Sequence, residues 1–116
     1  MSGKDHVWRS GERAAAAHYR SLGFRLVARN WRCRLGELDL IVERGDVLVF
    51  FEVKARASAA AGPYEAVTAA KQRKLRALAE AFLAATRRRP RDCRFDVASV
   101  TAAGDRPEVH LFEDAF

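Results

Sequence analysis

The sequence predicts an α/β domain in which a mixed sheet is flanked by helices. Two observations carry this prediction. Segments with helical spacing of apolar residues alternate with short segments rich in β-branched and aromatic residues, and their order is helix, three strands, helix, two strands. A chain of 116 residues, 49% of them apolar, can bury one core without metals or disulfides. We therefore expect residues 1–116 to form a single domain with the order αβββαββ.

Each element has its own local signal. Good helix formers dominate from about Val7 to Leu22, and Gly23 then ends the helix. A second helix is predicted from Tyr64 to Thr86, because Gly62-Pro63 marks its start and an apolar stripe follows. Strands are predicted at Phe24 to Arg29, Leu35 to Glu43, Val47 to Ala55, Arg94 to Val100 and Glu108 to Phe112, with a tight turn at Arg44-Gly45-Asp46.

Charge and composition limit the class of protein. The net charge of +6 favours an anionic partner, and nucleic acid ranks ahead of a membrane because no basic amphipathic anchor is present. An arginine-rich proteome explains the same charge, since only four of the 21 cations are Lys, and both explanations stay open. The longest apolar run, Val47 to Phe51, is too short to span a bilayer, so we expect a cytoplasmic protein. Cys33 and Cys93 form no pattern typical of a zinc site or a disulfide framework.

Charged residues interrupt two of the apolar strands. Because strand side chains alternate between faces, the second strand should place one apolar set opposite a set that contains an acid: Leu38, Leu40 and Val42 against Glu37, Asp39 and Ile41. The third strand is apolar on both faces up to Phe51, which indicates a central position. Glu52, Lys54 and Arg56 then follow on one face.

Two explanations fit these acids. Buried carboxylates cost several kcal/mol unless they are paired or bound to a metal, so Asp39 and Glu52 on neighbouring strands require a compensating cation. A divalent ion is one candidate. The other is Lys54, which would make a structural ion-pair network without chemistry.

Each helix adds a charged residue to an apolar stripe. Glu12 precedes Ala15 and Tyr19 by three and seven residues, so its side chain should point at the sheet. A glutamate favoured near the start of a helix by the helix dipole is the alternative. Lys71 lies four residues from both Val67 and Leu75, where a snorkelling lysine is an equally good explanation.

The arrangement of these residues resembles the PD-(D/E)xK nuclease superfamily. Asp39 is followed thirteen residues later by Glu52-Val53-Lys54, a separation that suits a hairpin. Within the superfamily, the chain is similar to the YraN-like family of predicted endonucleases, which is related to archaeal Holliday-junction resolvases. The similarity runs from about Gly11 to Val100 and is carried by six blocks in order: Gly11-Glu12, Gly23-Phe24, Arg29-Asn30, Gly36-Glu37-Leu38-Asp39-Leu40-Ile41, Phe51-Glu52-Val53-Lys54-Ala55-Arg56 and Arg94-Phe95-Asp96-Val97.

The resemblance implies a restriction-endonuclease-like αβββαβ core with a mixed sheet, and it implies roles for the charged residues. Asp39 and Glu52 would be metal ligands, Lys54 the catalytic lysine, and Glu12 the acid that resolvase-like members add from the first helix. Hard oxygen ligands select Mg²⁺ or Mn²⁺, with the Val53 carbonyl and waters completing the shell.

The expected partner is nucleic acid. Arg56, Lys71 and Lys74 would grip phosphates rather than read bases. We therefore expect a metal-dependent nuclease that acts on DNA, with branched DNA suggested by analogy and a homodimer suggested by the symmetry of branched substrates. A noncatalytic nucleic-acid-binding module on a nuclease-like fold is one alternative, and a protein-interaction scaffold whose acids are only structural is another.

Overall fold

A computed structural model describes residues 3–56, 68–103 and 106–116, with side-chain burial assigned over 11–54, 68–99 and 110–116. Within these residues the chain forms two helices and five strands in the predicted order: α1 (Gly3–Ser21), β1 (Arg25–Cys33), β2 (Gly36–Arg44), β3 (Val47–Arg56), α2 (Ala69–Thr86), β4 (Asp92–Ala103) and β5 (Arg106–Phe112). The predicted elements and their order are therefore confirmed.

Two boundaries differ from the sequence prediction for identifiable reasons. Strand β1 continues to Cys33, four residues past the predicted end at Arg29, because pairing with β2 persists on both sides of Asn30. Helix α2 begins later than predicted. Thr68 is extended, with φ −62° and ψ 157°, and its hydroxyl accepts the Lys71 N–H as an N-cap. The predicted helix start at Tyr64, like Gly62-Pro63 before it, lies outside the described residues.

The sheet is mixed, as predicted, and its strands lie in the order β1-β2-β3-β4-β5. The pairs β1–β2, β2–β3 and β4–β5 are antiparallel, and β3–β4 is parallel. Antiparallel neighbours need only short turns, whereas the parallel pair requires a crossover, which α2 provides. Strand β3 is therefore central, which explains why it is apolar on both faces.

The helices cover opposite faces of the sheet. The cluster beneath α1 consists of Ala15, Tyr19, Phe24, Leu40, Val42, Val49, Phe51, Val53 and Ala98. The cluster beneath α2 consists of Leu38, Ile41, Leu48, Phe50, Leu75, Leu78, Ala79, Phe82, Phe95 and Val97. In the part of the chain that the structure describes, neither helix combines the length and the apolar character needed to cross a membrane.

The predicted alternation of β2 fails at one position. Leu38 packs beneath α2 with Ile41, whereas Leu40 and Val42 pack beneath α1. The prediction that these three side chains share one face is therefore wrong for Leu38. The break lies between Leu38 and Leu40, where the β2–β3 ladder has ended at the pair Leu40–Phe51 and where Asn30, the facing residue of β1, departs from strand geometry with a φ of 50°.

A buried hydrogen-bond network anchors α1 to the sheet. The Asp96 carboxylate, with no exposed side-chain surface, accepts hydrogen bonds from the Tyr19 hydroxyl, from the Arg94 guanidinium and from the Asp114 N–H. Burial and the neighbouring carboxylate raise the pKa of Tyr19, which keeps its hydroxyl protonated. Tyr19 thereby fixes the rotation of α1 and directs Glu12, two turns earlier, at the sheet.

Candidate active site

Strands β2 and β3 separate beyond the Leu40–Phe51 pair and leave a gap, here called the fork, between residues 36–39 of β2 and 52–56 of β3. The Asp39 side chain spans this gap, because its Oδ2 accepts the Val53 N–H at 2.8 Å. A carboxylate thus replaces the ladder partner that β2 no longer supplies. The N–H and C=O groups of one strand residue point to the same neighbouring strand, so the Val53 carbonyl is also directed into the fork.

Asp39 is the most perturbed acid of the fork. Its exposed fraction is 8%, and burial raises its pKa from an ordinary 3.8 to about 7. The Val53 N–H opposes this rise, while the charges of Glu52, Glu12 and Glu37 add to it. The structure therefore brings acids from β2, β3 and α1 close enough for their charges to interact.

Glu52 lies next to Asp39 on the neighbouring strand and forms an ion pair with α2. Its Oε1 is 2.9 Å from the Lys71 Nζ, and the two side chains are 15% and 41% exposed. Its Oε2 is buried and has no hydrogen-bond partner in the part of the chain that the structure describes. A buried carboxylate oxygen without a partner indicates a place for a water or a cation.

The ion-pair partner of Glu52 is Lys71, and not Lys54 as one hypothesis from the sequence proposed. The structural-network hypothesis paired Glu52 with Lys54, whereas the partner of Glu52 is Lys71 in the first turn of α2. Lys54 follows Glu52 by two residues, on the same face of β3, and is half-buried. Lys54 therefore lies on the part of β3 that borders the fork.

Of the other predicted cations, Lys74 lies at the rim of the fork. Lys74 is exposed and its side chain lies over the β1–β2 turn, because a Cβ placed on Gly36 would meet Lys74 Cε at 3.1 Å. Arg56 is the last residue of β3, and its side chain lies outside the described part. Lys71 and Lys74 are separated by about one helical turn, so both face the same end of the sheet.

Glu12 points at the sheet as predicted, with 8% of its surface exposed. It lies nine residues after the start of α1 at Gly3, more than two turns into the helix, so attraction by the helix dipole does not explain it. Sequence reasoning assigned no role to Asn30. When the Asn30 amide is oriented so that its nitrogen, and not its oxygen, faces the two carboxylates, it donates to Glu37 Oε1 at 2.9 Å and to Glu12 Oε1 at 3.3 Å.

The oxygen atoms of the fork fit a hard divalent cation. Asp39 and Glu52 offer carboxylates, the Val53 carbonyl points into the same gap, and Glu52 Oε2 is a buried oxygen without a partner among the described residues. Across the described residues, no group of three or more His, Cys, Asp or Glu side chains that could hold a metal ion is found. Mg²⁺ sites in proteins commonly use one or two carboxylates and several waters.

The fold and the site together define a class of protein. A mixed sheet with one helix on each face, a parallel β3–β4 pair and acids at a β2–β3 fork is the arrangement of a restriction-endonuclease-like α/β protein. The chain belongs to the uncharacterised protein family UPF0102, whose family model matches residues 11–100. The YraN-like family predicted from the sequence blocks is thereby confirmed.

Relatives from several organisms match the chain over almost its whole length. The UPF0102 protein STH1475 of Symbiobacterium thermophilum is 49% identical over 112 residues, which make up 95% of each chain. UPF0102 proteins of Stutzerimonas stutzeri and Beutenbergia cavernae are 42% and 46% identical, and cover 100% and 96% of this chain and 98% and 97% of their own. The similarity establishes the family, and the chemistry has to be inferred from the fork.

Proposed function

We propose that this protein is a metal-dependent cytoplasmic nuclease that hydrolyses phosphodiester bonds in DNA, with branched or structured DNA as its substrate class. The observation that carries the proposal is the pair of carboxylates at the fork. Asp39 is held there by the Val53 N–H, and Glu52 brings a buried oxygen that lacks a partner among the described residues. Two acids on diverging strands cost stability, and cation binding for hydrolysis explains why they are present.

The residues of the fork divide the chemistry between them. Asp39, Glu52 and the Val53 carbonyl would hold Mg²⁺ or Mn²⁺. When bound, such an ion supplies Lewis acidity, which eases deprotonation of water and neutralises phosphate charge. The Lys54 ammonium would stabilise the negative charge that develops on the phosphate as water attacks phosphorus and the bond to the leaving oxygen breaks. Glu12 would orient the attacking water from the side of α1.

The rim of the fork would grip the DNA backbone. Lys71 is 41% exposed and 2.9 Å from Glu52, so its ammonium faces both the acid and the solvent where a phosphate would lie. Lys74 and Arg56 would extend this contact. Phosphate contacts position the nucleic acid without reading its bases, which favours recognition of DNA shape. A symmetric dimer would suit a branched substrate, and light scattering of the purified protein would measure it.

A noncatalytic nucleic-acid-binding module is the second candidate. The ion pair between Lys71 and Glu52 favours it, because this pair already neutralises one of the two acids. Cleavage that depends on a divalent ion separates the two functions, since a binding module would retain DNA affinity and cut nothing.

The deciding experiment incubates the purified protein and Mg²⁺ or Mn²⁺ with linear, flapped and four-way DNA of matched sequence. We expect cleavage by the wild type and none by Asp39→Asn or Lys54→Ala. Glu80→Gln removes an exposed carboxylate from α2, nine residues beyond Lys71, and is the matched control that should still cut. DNA binding by a wild type that cleaves none of the substrates would identify the binding module instead.

A thermal melt separates metal binding from chemistry. Glu52→Gln should lose the rise in Tm that Mn²⁺ gives the wild type, whereas Lys54→Ala should keep this rise and lose cleavage. Glu52→Gln leaves Lys71 without its partner, but Lys71 is exposed enough for the cost to be small. If Mn²⁺ does not shift the wild-type Tm and both variants melt much lower, the two residues are structural and the nuclease proposal is wrong.

A further inference from the structure

Asn30 interrupts the regular backbone of β1 at the level of the fork. Its φ is 50°, in the left-handed region that strand residues avoid. Pairing with β2 nevertheless continues on both sides, at Arg29–Leu40 and Trp31–Leu38. Asn30 therefore stands opposite Asp39, the residue at which β2 leaves β3.

The Asn30 amide connects two acids from different elements. An amide oxygen facing two carboxylates would be repelled, so the amide is assigned with its nitrogen towards them, and its two N–H groups then donate to Glu37 on β2, at 2.9 Å, and to Glu12 on α1, at 3.3 Å. The contacts lie beside Asp39, because Asn30 stands opposite Asp39 in the β1–β2 pair and Glu37 precedes Asp39 by two residues on β2. Carboxylates gathered at one place repel one another, and a neutral group with two donors offsets this repulsion without adding a charge.

Asparagine is the residue type that meets both requirements at this position. Glycine adopts the left-handed conformation freely and has no side chain to donate. Aspartate tolerates the conformation but, when ionised, only accepts hydrogen bonds. Glutamine has the donors and lacks this tolerance of the backbone. Both the left-handed backbone at this position and the contacts of the side chain therefore require asparagine.

We propose that Asn30 is a positioning residue of the fork, which holds Glu12 and Glu37 in place around Asp39. The inference rests on the proposed function, because it gives these two acids a role in orienting water and cation at the fork. Asn30 itself acts through the acids it holds. Groups that orient metal ligands in this way commonly change metal affinity or activity by about 10- to 100-fold when they are replaced.

The first arm of the test uses thermal stability, without an activity assay, to measure the contact of Asn30 with Glu12 and Glu37, which we call the bridge. Asn30→Asp keeps the shape and the backbone preference and replaces the donors with a third carboxylate beside Glu12 and Glu37. We expect the Tm of the metal-free variant at pH 8 to fall by about 4 °C, because like charges face one another. A Tm equal to that of the wild type would overturn the bridge.

The second arm measures positioning. Asn30→Gly keeps the left-handed backbone and removes the amide, so we expect about tenfold weaker Mn²⁺ binding and about tenfold lower kcat, with KM for DNA little changed. Arg87→Gly is the matched control, since Arg87 is also left-handed, with φ 56°, and caps the far end of α2. Its Mn²⁺ affinity and kcat should equal those of the wild type.

The proposal for Asn30 and the proposed function fail on different results. Wild-type Mn²⁺ affinity and kcat in Asn30→Gly would show that Asn30 positions nothing at the fork. A wild type that neither binds Mn²⁺ nor cleaves DNA would instead overturn the proposed function, and a lowered Tm of Asn30→Asp would then still support the bridge between Glu12 and Glu37.

Discussion

At Asp39, burial and the negative charge of the carboxylate oppose each other. It is almost fully buried, accepts a hydrogen bond from the Val53 N–H and shares its surroundings with three other carboxylates. Burial in low dielectric disfavours the charged form, so its pKa rises to about 7. The residue is therefore near its titration midpoint at neutral pH, and its ionised form gains most from a nearby cation.

The raised pKa predicts how stability depends on pH. In the unfolded chain Asp39 loses its proton near pH 4, whereas the folded protein keeps it up to about pH 7. Between these values the folded state binds more protons than the unfolded state, so the contribution of Asp39 to stability falls as pH rises. Asp39→Asn can still accept the Val53 N–H and lacks this titration. Relative to the wild type, the metal-free variant should gain stability from pH 4 to pH 7 and level off above.

Urea unfolding at several pH values with EDTA measures this difference. Glu80→Gln, on the exposed side of α2, controls for the loss of one carboxylate. Parallel stability curves for the wild type and Asp39→Asn would contradict the burial argument.

At the scale of elements, the first turn of α2 carries both a cap and a site residue. Thr68 accepts the Lys71 N–H at 3.1 Å, and the side chain of Lys71 pairs with Glu52 on β3. The N-cap therefore fixes the backbone from which Lys71 reaches the fork. Lys71 therefore links the start of α2 to the ion pair with Glu52.

Loss of the cap should cost about 1 kcal/mol in the free energy of unfolding, because Thr68→Ala leaves one helix N–H without its partner. Thr86→Ala is the matched control at the other end of α2. The Thr86 hydroxyl only donates back to the Phe82 carbonyl at 2.8 Å, a contact that helices do not need. Denaturant unfolding of the two variants checks the prediction, and equal destabilisation of both would show that Thr68 is not an effective cap.

At the scale of the whole molecule, the distribution of charge matters more than its sum. The net charge is +6, yet acids gather at the fork and cations border it. An anionic backbone would approach the rim formed by Lys71 and Lys74 while the metal-free acids repel it. Binding should therefore depend steeply on salt and on these particular lysines.

The double variant Lys71→Ala with Lys74→Ala should bind DNA more weakly regardless of sequence. The slope of log Kd against log salt concentration should fall by about one for each phosphate that the variant no longer neutralises. Arg91→Ala with Arg20→Ala removes the same charge from exposed positions outside α2 and serves as the control. Fluorescence anisotropy in EDTA, from about 50 to about 200 mM salt, gives both slopes. Equal slopes for the two double variants would place the binding face elsewhere.

The sequence by itself determined the elements, their order and the central position of β3, and it left two explanations for Glu12. These features follow from local rules: helical spacing, strand alternation, and turns at glycine. The acids of the fork were identifiable for the same reason, since Asp39 and Glu52 interrupt apolar strands. Each of these signals lies within a few residues of the feature it predicts.

Only the tertiary structure decided which groups meet. The β2–β3 ladder ends at Leu40–Phe51, which opens the gap that Asp39 fills, and just beyond this pair Leu38 packs beneath α2. The partner of Glu52 is Lys71, from the helix that follows β3 along the chain, and the amide of Asn30 joins acids of α1 and β2. The weak signal for Asn30 was an asparagine at the predicted end of a strand, where left-handed backbone is common. Such contacts depend on the docking of elements distant in sequence, which strand alternation and helix periodicity do not encode.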